Sequence, residues 1–527
     1  MFARVKQTGP YSYLQIVESY REGGRVRQRV VATLGRLDTL VQDGALDALL
    51  RSLSRYSQKA KVLGAWRAGE LQSGPMTKIG PDLIFSRLWD ELGMRPTLRA
   101  MTSKGKHEFD LERAAYLDVV QRLVEPGSER QADRWRRDYR LPGTEGLEYH
   151  HLLRANKWLG QNKDGVEEAL FARSRDLFSA VTMSFFDTTS IYFEGAGGES
   201  LGQYGHSKDH RPDLKQLVLG MLLAGDGRPV SCEIWPGNRA DSTTLLPVVE
   251  RLRTRFGVTS VCVVADRGMI SADTVRALEG DRVDYILGAR MRNNIEVRDD
   301  VLRRAGRFQA VADNLEVKEV RTQGRRYIVC HNPEQADKDR ADREAIMAHL
   351  EEMLDKGQAH LIGNKGFRKY LRIERGAMKI DRRKAEAEEK YDGKWVLRTN
   401  TAMPAAEAAV QYKRLWEVES FFRQTKSMVD TRPVWHKWDA TISGHVFVSF
   451  LALSLRYELM RRLDNKKMTL EWNDIRRDLD ALAVMEIEAP DGRWLLRAAP
   501  QGVCGKVFQA VGVAMPPTAK LIEGGKM

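Results

Sequence analysis

Three carboxylates stand out because of where they fall in the pattern of apolar residues. Asp187 lies inside an apolar run, Ser-Phe-Phe-Asp-Thr-Thr-Ser-Ile-Tyr, where an ionised side chain costs free energy unless something pairs with it. A cap from Thr188 or Thr189 would serve structure alone. Asp266 ends a second run, Ser-Val-Cys-Val-Val-Ala-Asp-Arg-Gly-Met, and the carboxyl end of a strand is where many α/β sheets open onto a site. An aspartate starting a turn before Gly268 accounts for the same residue without chemistry. The third, Glu419, belongs to Tyr412-Lys-Arg-Leu-Trp-Glu-Val-Glu-Ser-Phe-Phe-Arg-Gln-Thr-Lys426. On an ideal helix a step of seven returns to within about 20° of its starting direction, so Tyr412, Glu419 and Lys426 form one stripe. Arg423 shares that face and Glu417 does not. A solvated face with i,i+4 ion pairs has the same composition. Carboxylates that converge are the hard oxygen donors that divalent cations prefer, so convergence decides between the readings.

Convergence depends on the elements that carry these side chains. From Val181 the pattern implies strands over Val181–Phe193, Gln216–Leu223 and Pro229–Trp235, a helix over Ser242–Phe256, a strand over Ser260–Ala265, a helix over Ala272–Leu278 and a strand over Tyr285–Gly288. Three strands in a meander, then helix, strand, helix and strand, is the order of an RNase H-like core, although other mixed α/β folds share it. In the RNase H-like arrangement the first and fourth strands are neighbours, which sets Asp187 beside Asp266. A helix from about Ala405 to Met428 packs against the sheet and offers Glu419, and Val446–Leu463 forms a second, strongly apolar helix. Upstream, Tyr11–Tyr20 and Val26–Leu34 read as a β-hairpin turning at Glu22-Gly23-Gly24, followed by helical periodicity from Gly44 to Phe178. The expected architecture is therefore α/β, with boundaries at 1–110 (N-terminal hairpin and helical region), 111–180 (helical), 181–290 and 402–465 (the two parts of the core), 291–401 (a long β-rich insertion) and 466–527 (a helical C-terminal region).

Charge points to a partner. Lys+Arg number 85 against 72 Asp+Glu, a net charge of +13 over 527 residues, which suits a polyanion, though solubility explains a modest excess equally well. The excess is clustered. Arg4, Lys6, Arg21, Arg25, Arg27, Arg29 and Arg36 face only Glu18 and Glu22 over positions 1–36, and Lys365–Lys384, with Arg368 and Lys369, is basic around Phe367 and Tyr370. A solvated strand face is the plainer reading of the first cluster. No stretch reaches the ~18 consecutive apolar residues of a membrane span, and Met-Phe-Ala-Arg-Val-Lys-Gln at the start has no apolar h-region, so a cytoplasmic, nucleoid-associated protein with no membrane partner is expected. Cys232, Cys262, Cys330 and Cys504 lie too far apart for C-x-x-C pairs and read as core thiols.

The residues around Glu419 resemble the insertion-sequence transposases with a Tyr-Arg-Glu-Lys signature, Y-x2-R-x3-E-x6-K, and the similarity of pattern runs from about Tyr11 to Leu463. The signature falls on Tyr412, Leu415, Glu419 and Lys426, so Leu415 stands where the family has arginine. Arg414 points about 140° away from Glu419 on an ideal helix; Arg423, or a residue from elsewhere, would have to take the missing place. Tyr204-Gly-His-Ser-Lys-Asp-His-Arg211, Pro236-Gly-Asn-Arg-Ala-Asp241 and Asp266-Arg267 are further family-like features. The resemblance implies that Asp187, Asp266 and Glu419 bind two Mg²⁺ ions, with Mn²⁺ as a substitute, and cleave and join DNA at the terminal inverted repeats of an insertion sequence. It implies double-stranded DNA, both transposon end and target, as partner and a homodimer in the synaptic complex. Tyr412, Arg423, Lys426, Lys208, Arg211, Arg267 and the arginines at 25, 27 and 29 would contact DNA, as would Arg368 and Lys369. Lys394-Trp-Val-Leu-Arg-Thr-Asn400 resembles the family strand whose tryptophan stacks on a flipped base, which makes Trp395 either that wedge or a buried strand tryptophan. A catalytically inactive DNA-binding protein of the same origin is the alternative; a small-substrate hydrolase leaves the basic clusters unexplained.

Overall fold

Alternation of aromatic, β-branched and polar residues builds the first sheet. In the computed structural model, β1 (Phe2–Thr8), β2 (Tyr11–Glu22) and β3 (Arg25–Arg36) pair antiparallel in that order. The structure describes every residue except 23–24, 55, 57–71, 104, 175–182, 259–261, 357–368, 375–376, 428, 430, 490–491 and 525–527. The expected hairpin is thus the second and third strands of a three-stranded sheet. Its register runs from Phe2↔Val17 to Thr8↔Tyr11, which makes Gly9-Pro10 a tight connection. Two short helices, Leu37–Gln42 and Ala45–Ser54, follow, and then β4 (Gln72–Lys78).

The chain divides into two compact units, one of Met1–Pro81, Asp138–Arg140 and Leu470–Met527, the other of Asp82–Arg137 and Leu141–Thr469. Residues 82–110, which sequence grouping put with the N-terminal region, fall in the second unit. Its scaffold is one nine-stranded sheet. β5 (Met183–Tyr192), β6 (Gln216–Ala224) and β7 (Pro229–Pro236) form an antiparallel meander. β8 (Cys262–Ala265) then lies parallel to β5, and β9 (Asp284–Ala289) parallel to β8, reached through the helices Leu245–Thr254 and Ala272–Gly280. The central strands β6 and β8 are apolar on both faces, as expected of strands covered on both sides, and both are buried along their whole length.

The insertion extends this same sheet. β10 (Gln309–Ala312), β11 (Leu315–Thr322) and β12 (Arg325–His331) are antiparallel neighbours, β13 (Leu371–Glu374) and β14 (Ala377–Ile380) make a separate two-stranded ribbon, and β15 (Lys394–Thr399) bridges β12 to β9. The order across the sheet is β10-β11-β12-β15-β9-β8-β5-β6-β7. A layer of helices includes Asp439–Asn465, which packs on Tyr149–Ser174 and Leu111–Val124. Among the described residues no helix is long and apolar enough to cross a membrane, and all four cysteines are buried and free.

The C-terminal region corrects the sequence reading. Besides the helices Trp472–Asp480 and Cys504–Val511 it holds β16 (Ala483–Ala489), β17 (Gly492–Arg497) and β18 (Ala519–Gly524), in a four-stranded sheet ordered β18-β17-β16-β4. β4 contains Gly74 and Pro75, poor strand formers that hid it. Pro75 is tolerated because β4 is an edge strand, and the register slips between Met485 and Ile487, opposite this pair.

Candidate active site

Strand pairing sets two of the three carboxylates side by side. β5 and β8 run parallel in the register Phe186↔Ala265, so Asp187 and Asp266 follow as the next step on adjacent strands. Asp187 accepts a hydrogen bond from the Thr188 backbone N–H at 2.7 Å. Its carboxyl group is nonetheless pushed up to about 6, chiefly by burial and further by Asp266 and Asp241, against the opposing pull of Lys208 and the Thr188 N–H. Asp266 Oδ1 accepts from the Tyr412 hydroxyl at 3.0 Å. Burial, and then the negative charge of Asp266, raises the Tyr412 phenol well above its ordinary value, so it stays a donor. Gly288 on β9 makes room for it: a Cβ there would lie 2.2 Å from the Tyr412 hydroxyl.

Asp241 is a third carboxylate of this cluster, absent from the sequence-derived set. Its Oδ1 accepts from Thr188 Oγ1 at 2.8 Å and its Oδ2 lies 3.1 Å from Lys208 Nζ, which also donates to the Thr188 carbonyl at 2.7 Å. The signal was present in Pro236–Asp241, singled out as a motif but given no role.

Glu419 stands differently. The expected single helix is two, Ala405–Lys413 and Leu415–Ser427, divided at Arg414. The second packs on β5, burying Leu415, Val418, Phe421, Phe422 and Thr425, while Glu419 and Arg423 are exposed. The break removes the continuous helix on which the Tyr412–Glu419–Lys426 stripe was drawn. Among the described residues the carboxylates of Asp187, Asp266 and Glu419 do not all lie within 4.8 Å of one another. Asp187, Asp266 and Asp241, partly buried and close enough to act on one another, are the hard oxygen donors that suit a divalent cation.

The remaining expected contacts divide. Lys426 Nζ donates to Asp209 Oδ1 at 2.7 Å. Leu415 is core, and Arg414 donates to Glu417 at 2.7 Å and to the Gly225 carbonyl at 2.5 Å while resting on the Phe185 ring. Arg211 pairs with Asp213 at 2.9 Å. Arg267 is exposed beside Asp266. Trp395 sits partly buried on β15 opposite Cys330, with its indole N–H buried and lacking a hydrogen-bond partner among the described residues. On the N-terminal sheet Arg25 is exposed, Arg27 lies 3.0 Å from Glu22 and Arg29 2.6 Å from Glu18. Lys369 is 3.7 Å from Glu388; Arg368 lies outside the described residues.

Sequence reasoning missed a polar cluster in the helical layer. Glu129 Oε1 accepts from Asn156 at 2.7 Å and lies 3.1 Å from His436 Nε2 and 3.9 Å from His445 Nδ1. Burial, reinforced by Arg122, pushes His445 down to about 4, so it is neutral. Its Nδ1 lies 3.3 Å from Arg122 and its Nε2 3.1 Å from the Thr431 carbonyl. With Arg122 able only to donate, Nδ1 accepts and Nε2–H donates, and the Glu129, His436 and His445 ligand atoms all lie within 4.8 Å of one another.

Comparison with known proteins bears on both units. Residues 3–65 match the IS1634 family transposase N-terminal domain, and residues 183–440 match the transposase DDE domain. A piggyBac transposase synaptic complex with hairpin DNA aligns at 11% identity over 77% of this chain and 81% of that chain, with a TM-score of 0.37. No curated protein matches.

Proposed function

Since the chain belongs to the DDE transposases of insertion sequences, we propose that it cuts and joins double-stranded DNA at the terminal inverted repeats of its own element, in a homodimer that holds two ends together. The observation that carries this reading is the juxtaposition of Asp187 and Asp266 on parallel strands, within reach of Tyr412 and Lys208. Three antiparallel strands with two parallel strands added beside the first support an RNase H-like core. Asp187, Asp266 and Glu419 would hold two Mg²⁺ ions, or Mn²⁺, which when bound activate the attacking water or 3′-OH and stabilise the leaving oxygen. Tyr412 fixes the Asp266 carboxylate in one orientation by its hydrogen bond, leaving the second oxygen for a ligand. Lys208 offsets the charge of Asp241 and limits repulsion on Asp187. Lys426 lies at the far end of the Glu419 helix as a point charge for a backbone phosphate. Trp395 would wedge beside a flipped base, and the arginines of β3 would track phosphates.

Asp187→Asn, Asp266→Asn and Glu419→Gln should each abolish Mg²⁺-dependent cleavage of a duplex taken from the DNA bordering the gene, while end binding in gel shifts persists. Full cleavage by one variant removes that residue from the site; no cleavage by the wild-type chain under any divalent cation leaves an inactive DNA-binding protein.

A further inference from the structure

The missing signature arginine leaves a vacancy that the helix itself does not fill. Leu415 is 8% exposed, in the core. Arg414 is committed to Glu417 and Gly225, and Arg423 is exposed on the helix. Beyond the helix, however, the chain returns to the end of β5 and delivers Arg432 there. Its Nη1 lies 2.7 Å from Asp209 Oδ1, the same oxygen that accepts from Lys426 Nζ at 2.7 Å. The Arg432 guanidinium also stands 5.7 Å from the centre of the Tyr192 ring, and that of Arg211 stands 5.5 Å from it. Tyr192 is the last residue of the strand that carries Asp187.

Asp209 is an unusual acceptor. Its side chain is 6% exposed, both cations share one of its oxygens, and the other, Oδ2, is buried with no hydrogen-bond partner among the described residues. A carboxylate placed for structure alone would be expected to satisfy both oxygens. Two cations share this single negative group, while the nearby Lys208 is matched by Asp241 at 3.1 Å. The positive charge is in excess, and the geometry at Oδ1 is what a non-bridging phosphate oxygen would meet.

We infer that Arg432 takes the role vacant at Leu415, forming with Lys426 a clamp for one DNA backbone phosphate, and that Asp209 occupies this clamp as an internal stand-in until DNA arrives. This rests on the transposase reading above and goes beyond it in naming the second cation and the internal competitor. The clamp lies along β5 from the carboxylates, so the phosphate it grips flanks the scissile one and fixes where the cut falls. Arg432 is a positioning residue.

The test uses the full chain and a fluorescent duplex from the DNA bordering the gene, with binding followed by anisotropy in EDTA over a range of salt. Arg432→Ala should weaken binding roughly tenfold and lower the slope of log K against log salt by about one, as the loss of one phosphate contact requires. Arg432→Lys should retain most of the slope. Asp209→Asn should tighten binding severalfold, and the gain should vanish in the Arg432→Ala background, whereas a diffuse charge effect would simply add. Arg432→Ala with wild-type slope, or an Asp209→Asn gain that survives loss of Arg432, overturns the clamp. If Asp209→Asn fails to fold, as a fall in melting temperature would reveal, the Arg432 pair of variants decides alone. Absence of Mg²⁺-dependent cleavage by the wild-type chain would instead strike at the transposase reading, whatever the binding data.

Discussion

Asp187 carries its negative charge at a cost. Its carboxyl group is raised to about 6, chiefly by burial, against ~3.9 in an unfolded chain. A carboxylate raised on folding penalises the folded state fully above pH 6, and the penalty fades as pH falls toward 3.9, where both states are protonated. Asp187→Asn should therefore raise the melting temperature of the metal-free chain at pH 7.5, by an amount corresponding to on the order of 1–3 kcal/mol, and the gain should shrink at pH 5. Thermal melts in EDTA check this; a difference that does not change with pH would mean that ionisation is not the source. Mg²⁺ should raise the wild-type melting temperature and leave the variant unmoved. The sequence made Asp187 and Asp266 legible because each interrupts or ends an apolar run. Asp241 was visible only as part of the Pro236–Asp241 motif, and the nearness of Arg432 to the end of β5 was not legible, since Arg432 lies in a loop whose path only the folded sheet defines.

At the scale of elements, periodicity succeeded where one face is buried and failed where tertiary contacts bend the backbone. The five strands from β5 to β9 were all readable, because each is short, rich in β-branched, aromatic or other apolar residues and bounded by turn residues. The break at Arg414 was not, because no glycine or proline marks it; its visible correlate is a guanidinium reaching the Gly225 carbonyl and the Phe185 ring. β4 was hidden by Gly74-Pro75. One element contact can be tested directly. Gly288→Ala would place a methyl group 2.2 Å from the Tyr412 hydroxyl and 3.0 Å from its ring carbon, forcing Tyr412 off Asp266. The expected cost is about 1–3 kcal/mol in stability, with at least a tenfold fall in cleavage. Tyr412→Phe in the same chain should recover part of the stability by removing the nearer atom. If the two substitutions instead add independently in a double-mutant cycle, Gly288 is not serving Tyr412.

At the scale of the whole molecule, charge and chain path matter most. With a net charge of +13, DNA binding should weaken steeply with salt, and replacing Arg25, Arg27 and Arg29 together by alanine should flatten that dependence by up to about three in slope. Two of the three already face glutamates at 3.0 and 2.6 Å, so a smaller change, nearer one, is expected if those pairs persist on DNA; an unchanged slope in gel shifts would place the DNA surface elsewhere. The pairing of β4 with β16 joins residues 72–78 to residues 483–489. Sequence grouping by neighbourhood could not see a unit assembled from such distant segments. At ~5–20 residues per second of synthesis, β4 leaves the ribosome roughly 20–80 s before its partner strand exists. Through that interval the nine-stranded sheet can already form, while the four-stranded sheet waits for its centre. A message broken before codon 483 would thus give a polypeptide with the acidic residues in place and the first unit unfinished, so that the fold itself reads whether the transcript was intact.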